Sequence, residues 1–488
     1  MMACDPPPSL EALENAVNTL YFARDNNFPA SPLSKSASIK NLQKSILSQI
    51  AAFQSAPDTP NTPNTPNLKS ILAYLHGATL SIDDTYNPEA SSHLQKSVKL
   101  NPSGAFCVRG WTLLGVSFWK RGNSMSSSAA TWKEGLNFLR EAETCFKNAV
   151  ERCNVEGSAS LKDKKQLYRL FSMLMRQLPP SALSEDGSEV AIDVAKCSVE
   201  MAKKAVALDV SDGESWYILG NGYVSTFFTG GEKSGNVSTL TMAIKVYDKA
   251  ESLWQTAEQH QIDSQLVTGC VSPDLYYNRA TVHLYMEDYI SALKDLENTK
   301  KIDPFFSHDV ESRIQNDVVG WCSKICGLVK SKGGVVKGEK RLKAVRKEVN
   351  KMRLAFEAAR EKVSTEGEEK KEKDENNTTT KPTKTVHLKI LMGLGESSKT
   401  PNSFLVLDGS GECMVLSVYL LSGVGRGVRE GDVVTVLEAE VRMVGIPGNV
   451  YKNIHVIEPT RTVLINGQAV RRQEIAPTKM RMNNSGYL

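Results

Sequence analysis

Apolar residues recur at three- and four-residue steps along most of the first 330 positions, the period of a helix with one buried face. Residues 1–56 are read as N-terminal helices, over 10–28 and 35–56. In the second, Ile39, Leu42, Ile46, Ile50 and Phe53 form a single stripe. The run PDTPNTPNTPN at 57–67 breaks the pattern. Each proline lacks a donor and disfavours helix in the residue before it, so an extended spacer is expected. Helical periodicity returns over 68–330, almost without strands. A basic helix is expected over 331–363, with Leu342, Val345, Val349, Met352 and Phe356 on one face. STEGEEKKEKDENNTTTKPTKT at 364–385 is too polar to bury a core and reads as a charged linker. The period then changes to two. TVHLKIL, SFLVLDGSG, CMVLSVYLL, DVVTVLEAEVRMV and NIHVIEPTRTVLING are separated by Gly, Asp, Asn and Pro turn signals, predicting a small β domain over 386–470. Residues 471–488 read as a flexible tail.

Within the helical region the pattern repeats. Trp216, Leu219, Gly220 and Tyr223 give W-x2-L-G-x2-Y, followed by Ala243, Tyr247 and Ala250. Trp111, Leu114, Gly115 and Phe118 with Ala142, Phe146 and Ala149 make a second copy. Tyr276, Ala280, Ala292, Leu296 and Pro304 make a third, and Tyr168, Phe171, Ser172 and Met175 with Ala195, Val199 and Ala202 a degenerate one. Ala90, Leu94 and Pro102 belong to a further unit whose first helix is poorly marked. This is the tetratricopeptide (TPR) pattern: a small residue lets two helices approach, and an aromatic fills the space between pairs. A lone pair cannot bury its apolar face, so about five such units must stack into a solenoid.

Composition narrows this picture little. A net charge of +4 on 488 residues points to neither nucleic acid nor membrane. No apolar run approaches the roughly 20 residues of a membrane span, and the start lacks the pattern of a signal peptide. A cytoplasmic and nuclear protein is expected. The nine cysteines are scattered without a disulfide rhythm. Cys322 and Cys326, four apart, read as buried small hydrophobes rather than half of a zinc site.

The search for chemistry returns binding rather than catalysis. The seven histidines form no metal-ligand spacing, and there is no nucleophile elbow, Walker lysine or H-E-x-x-H motif. No enzyme activity, metal or cofactor is expected. Gly220 and Gly222 follow no strand and precede no Lys-Ser/Thr pair, so they are not a phosphate loop. Asn221 lies about 140° around the helix from Trp216 and faces away from the repeat core. Asn278 is placed similarly relative to Tyr276. Each either holds a peptide backbone or belongs to a solvated polar face. Arg279 stands in a slot usually taken by leucine, either snorkelling or serving the groove. The basic helix reads as a solenoid cap with a solvated outer face, or as an RNA contact. The β domain offers Phe404, Tyr419 and Tyr451 as its aromatics, without the aromatic-basic interleave of a single-strand binder.

DGESWYILGNGY, LYYNRATVHLYMEDYISAL, MLMRQL and SHLQKSVKLNP, followed by a small β barrel, resemble the tetratricopeptide repeat protein 5 (Strap) family from about residue 68 to 470. The resemblance implies a mainly α chain: a TPR helical-hairpin solenoid followed by a small C-terminal all-β OB-fold barrel. It implies an adaptor that recognises the amino-terminal Met-Arg-Glu-Ile/Cys peptide of nascent tubulin on the ribosome. Through mRNA-decay adaptor proteins it would trigger decay of the translated mRNA, which is tubulin autoregulation. The family's other role is a nuclear, stress-responsive transcription coactivator that binds a histone acetyltransferase. A third reading, from the β domain and basic helix, is RNA binding. Residue by residue, the family's groove arginine corresponds to Arg176 and its groove aspartate to Asp274. Its ribosome-facing lysines correspond to Lys96 and Lys99. Where the family has a further groove acid, this chain has DPFFSHD, with His308 in that place and Asp309 as a substitute.

Overall fold

The computed structural model describes residues 9–26, 32–55, 65–104, 106–126, 131–155, 159–178, 188–229, 237–261, 271–306, 309–335, 339–367, 385–394, 402–419 and 428–471. Twelve helices pair in chain order as antiparallel hairpins: α1 (Leu10–Asn26) with α2 (Pro32–Ser55), α3 (Pro66–Leu80) with α4 (Pro88–Leu100), α5 (Cys107–Ser126) with α6 (Trp132–Cys153), α7 (Leu161–Gln177) with α8 (Ser188–Leu208), α9 (Gly213–Thr229) with α10 (Val237–Gln261), and α11 (Pro273–Tyr285) with α12 (Tyr289–Ile302). The first members of the first five pairs line a common cavity. The starts are chemically marked. Asn87 caps α4 through the Glu89 and Ala90 amides, and Ser160 with Asp163 forms a reciprocal capping box on α7.

The stacking expected of the repeats is present. One core runs from Val108 through Phe146, Phe171, Tyr217 and Tyr247 to Tyr285, and a second joins Leu13, Val17, Ile46 and Ile50 to Leu75, Leu94 and Leu114. The N-terminal helices therefore form a further layer on the solenoid. The small positions are steric requirements. A Cβ on Gly220 would lie 2.5 Å from the Tyr247 ring, and one on Gly77 would lie 2.8 Å from Leu94 Cγ. Gly77 is the mark of the unit whose first helix the sequence left poorly defined. Helix α3 starts at Pro66, inside the range read as spacer. Its fixed φ and missing N–H suit a first helical turn. Residues 56–64 lie outside those described.

Beyond α12 the chain passes through α13 (Val310–Ser312) and a π-helical stretch, Arg313–Gly320, into α14 (Trp321–Val335) and α15 (Glu339–Gly367). The basic helix is thus two helices, and the second does not cap the solenoid. Its apolar face packs on the β domain: Val345 and Val349 bury against Leu407, and Phe356 meets His387 edge-on at 5.7 Å. Most of the residues expected to form the linker lie outside those described.

Among the described residues the β domain has eight strands: β1 (Val386–Gly393), β2 (Asn402–Asp408), β3 (Cys413–Val418), β4 (Val433–Val436), β5 (Val441–Ile446), β6 (Asn449–Val456), β7 (Val463–Ile465) and β8 (Gln468–Ala469), in the order β5-β6-β3-β2-β1-β4-β7-β8. Pairing is antiparallel except for β3 with β6. Two of the five expected runs are divided. Glu438, with φ +57°, separates β4 from β5, and the short helix α16 (Pro459–Thr462) separates β6 from β7. Periodicity could not show either break, because both flanks keep the same alternation.

The barrel is seated on the last repeat. Tyr419 meets Tyr285 edge-on at 5.2 Å and joins the solenoid core, while Val415, Val444, Ile446 and Tyr451 pack with Leu284, Tyr289 and Cys322. Glu287, in the left-handed region at φ +59°, reaches across. It accepts from Ser417 Oγ at 2.8 Å and Asn453 Nδ2 at 3.0 Å, and His455 Nε2 lies 3.2 Å away. Burial raises the Glu287 pKa to about 7 and lowers that of His455 to about 4.

Candidate groove site

The sequence placed Asn221 and Asn278 on the groove side of their helices. In the structure both are buried among tyrosines rather than solvated, at 0% and 1% exposure. Asn278 Nδ2 donates to Tyr217 Oη at 2.9 Å and to Asn221 Oδ1 at 3.2 Å, and Tyr247 Oη donates to the same Oδ1 at 2.6 Å. Two donors on one atom fix the Asn221 amide with its oxygen toward them. Its Nδ2 is buried and has no hydrogen-bond acceptor among the described residues. Leaving such a donor unmet costs about 1–3 kcal/mol.

Arg176 flanks this cluster from α7. Its Nη1 donates to the Ile218 carbonyl at 3.1 Å. Burial pushes its guanidinium pKa down to about 10, partly offset by Tyr217 and Tyr247. Asp274 flanks it from the first turn of α11, 6% exposed, with Ser272 Oγ donating to its Oδ2 at 3.5 Å. Its charge helps to raise the Tyr217 pKa, after burial. A cation, an acid and an unmet amide donor thus lie around Tyr217 and Tyr247, of which the repeat pattern marked only Tyr247. Tyr217 is the missed residue. It adjoins the repeat-marking Trp216, which is only half-buried and donates to the Val210 carbonyl at 2.9 Å.

Arg279 is not a groove ligand. Its Nε and Nη2 hold both oxygens of Asp295 at 2.8 Å, and its Nη1 reaches Asp248 at 2.8 Å and Glu251 at 2.6 Å. Three acids consume its charge, so the head neither snorkels nor faces a ligand. Asp309 is also engaged: its carboxylate caps α13 through the Ser312 amide at 2.8 Å. His308 lies outside the described residues. Lys96 and Lys99 are both exposed on α4.

Toward the amino-terminal half the groove widens into a cavity of about 310 Å³, lined by Tyr21, Tyr74, Lys120, Arg169 and Met173, the last one turn before Arg176. Ion pairs tie its walls across repeats, Arg109 to Asp163 at 2.7 Å and Arg169 to Glu214 at 2.7 Å. Lys120 donates to the Ser81 and Asp83 carbonyls, and burial lowers its pKa to about 8.

One cluster departs from the sequence reading of the histidines. His76, Glu89 and His93 come together on the α3–α4 hairpin, with potential ligand atoms within 4.8 Å of one another. The barrel aromatics depart as well: Tyr419 and Tyr451 are buried at 2% and 3%, and Phe404 packs on the barrel core. Neither tyrosine presents an open face for stacking a base. Among the described residues no helix is long and apolar enough to cross a membrane.

A family model described as the tetratricopeptide repeat protein 5 OB fold domain matches residues 372–479. Tetratricopeptide repeat protein 5 of Mus musculus is 28% identical over 441 residues, covering 89% of this chain and 86% of that protein. The Homo sapiens protein of the same name is 28% identical over 457 residues, covering 89% and 87%. Among solved structures, an assembly chaperone of RpL4 (Acl4, residues 1–338) aligns at 12% identity and a TM-score of 0.34, over 64% of this chain and 95% of that one. The repeat fold and the two curated relatives support a TPR protein-binding adaptor.

Proposed function

From a chain that resembles tetratricopeptide repeat protein 5 along most of its length, we propose that the groove around Asn221 captures the amino-terminal Met-Arg-Glu-Ile/Cys peptide of nascent tubulin. In this reading Arg176 pairs with the peptide glutamate and Asp274 with its arginine. The Asn221 Nδ2 takes a backbone carbonyl, and Asn278 holds the amide in place. The observation that carries it is the buried, unmet Asn221 donor set between a half-buried cation and a buried acid. Such a site suits an extended segment with adjacent opposite charges, held partly through its backbone. Capture on the ribosome, with Lys96 and Lys99 toward its RNA, would recruit mRNA-decay adaptors. The alternative, a nuclear coactivator scaffold, would require partner binding that tolerates loss of Arg176.

Titration calorimetry with a Met-Arg-Glu-Ile peptide tests the reading. Arg176→Ala removes one partner of a desolvated pair, expected to cost about 2–5 kcal/mol of binding, with the melting transition retained. Unchanged affinity overturns it. Selective ribosome profiling of the tagged protein then asks whether tubulin-translating ribosomes are enriched.

A further inference from the structure

We propose that His76, Glu89 and His93 form a binding site for a first-row transition-metal ion, with Zn²⁺ as its natural occupant, on the α3–α4 hairpin. The geometry has a local cause. Gly77 lets α3 approach α4 until a Cβ there would lie 3.0 Å from the Ala90 carbonyl and 2.8 Å from Leu94. His76 and His93 each precede one member of that contact by one residue, so the approach brings their rings face to face. The centroids are 4.0 Å apart, at 23°. Glu89 lies four residues before His93 on the same face of α4, and its Oε1 is 4.0 Å from His93 Nε2.

Two imidazoles and one carboxylate are the borderline donor set that favours Zn²⁺ and its neighbours over Mg²⁺ or Ca²⁺. Tetrahedral Zn²⁺ needs bonds of about 2.0–2.2 Å to nitrogen and oxygen, so the three ligand atoms must draw closer than they stand. Two of the three side chains have room to do so: Glu89 is 66% and His93 28% exposed, and a turn of the His93 ring out of the stack aims both imidazoles at one point. Three protein ligands leave the fourth position to water or to a partner's side chain. Glu89, His93 and Lys96 recur at four- and three-residue steps along α4, so the ion would add positive charge to the face that carries Lys96. The site is independent of the peptide groove.

Equilibrium dialysis of the full chain against Zn²⁺, with Co²⁺ as a spectroscopic probe, tests the site. One ion per chain is expected. His93→Ala and His76→Ala should each weaken binding at least tenfold and Glu89→Gln at least threefold, while His283→Ala, remote in sequence, leaves it unchanged. Bound Co²⁺ should show nitrogen and oxygen ligation without a thiolate charge-transfer band. Glu89→Gln changes an exposed side chain and His93→Ala a half-exposed one, so they read the site even if His76→Ala disturbs the helix contact. Absence of binding, equal binding by wild type and His93→Ala, or a thiolate band would overturn the proposal.

Discussion

The Tyr247 hydroxyl donates to Asn221 Oδ1 at 2.6 Å, and it thereby fixes the orientation of the buried Asn221 amide. The oxygen is held by the scaffold, and the buried nitrogen meets no acceptor among the described residues. Tyr247→Phe keeps the ring and removes this donor. Peptide affinity is expected to fall by about 1 kcal/mol, roughly fivefold, the usual net worth of one hydrogen bond. Calorimetry should show that loss with little change in the melting temperature. A melting shift as large as the affinity loss would make the contact purely structural.

The same contact depends on Gly220. A methyl group there meets the Tyr247 ring at 2.5–2.7 Å, and that ring is fully buried and cannot swing away. Gly220→Ala should therefore destabilise the chain by about 1–3 kcal/mol, as overpacking does, although alanine is the better helix former. Urea unfolding measures it. A neutral or stabilising result would mean that the α9–α10 contact is looser than described.

Arg279→Ala separates scaffold from ligand chemistry. It strands Asp295, which is 2% exposed, beside Glu251 and Asp248. Removing one partner of a buried pair costs about 3–5 kcal/mol. Thermal unfolding should show that loss, in contrast to Arg176→Ala, whose effect should appear in peptide binding.

Glu287 makes the seating of the barrel pH-dependent. Its pKa rises on folding, from the ordinary carboxyl range to about 7. Its contribution is therefore complete below the unfolded pKa and is lost as pH rises through the folded one. His455 has the opposite sign. Its pKa falls to about 4, so its contribution is present above the ordinary imidazole range and is lost as pH falls through about 4. Subtracting the stability of Glu287→Gln from that of wild type isolates the carboxyl. The difference should fall by a few kcal/mol at most between pH 4.5 and 7, and level off above that. A flat difference across that range would show that Glu287 is not the titrating group.

Much of the fold was legible because repeat marks are local. Trp111, Gly115, Trp216 and Gly220 carry spacing along a single helix, and spacing survives in a linear string. The first helix of the α3–α4 unit was harder to read, since Gly77 is its only clear mark and glycine has many other uses. Of the groove residues, Asn221 and Asn278 could be placed on a face from helical geometry. Arg176 and Asp274 came through resemblance to a family. Tyr217 was missed because an aromatic next to a repeat-marking tryptophan reads as more of the same core.

By itself the sequence determined that helical hairpins stack along most of the chain and that a β domain follows. These follow from periodicity and from side-chain volume, which each segment carries within itself. Tertiary structure decided what the polar groups meet. It gave Arg279 to Asp295 rather than to a ligand, laid the basic helix on the barrel rather than on the solenoid, and brought His76 to His93 across a turn. Each outcome depends on a contact between segments distant in the chain, and the energy of a buried charge or donor depends on its neighbours in space.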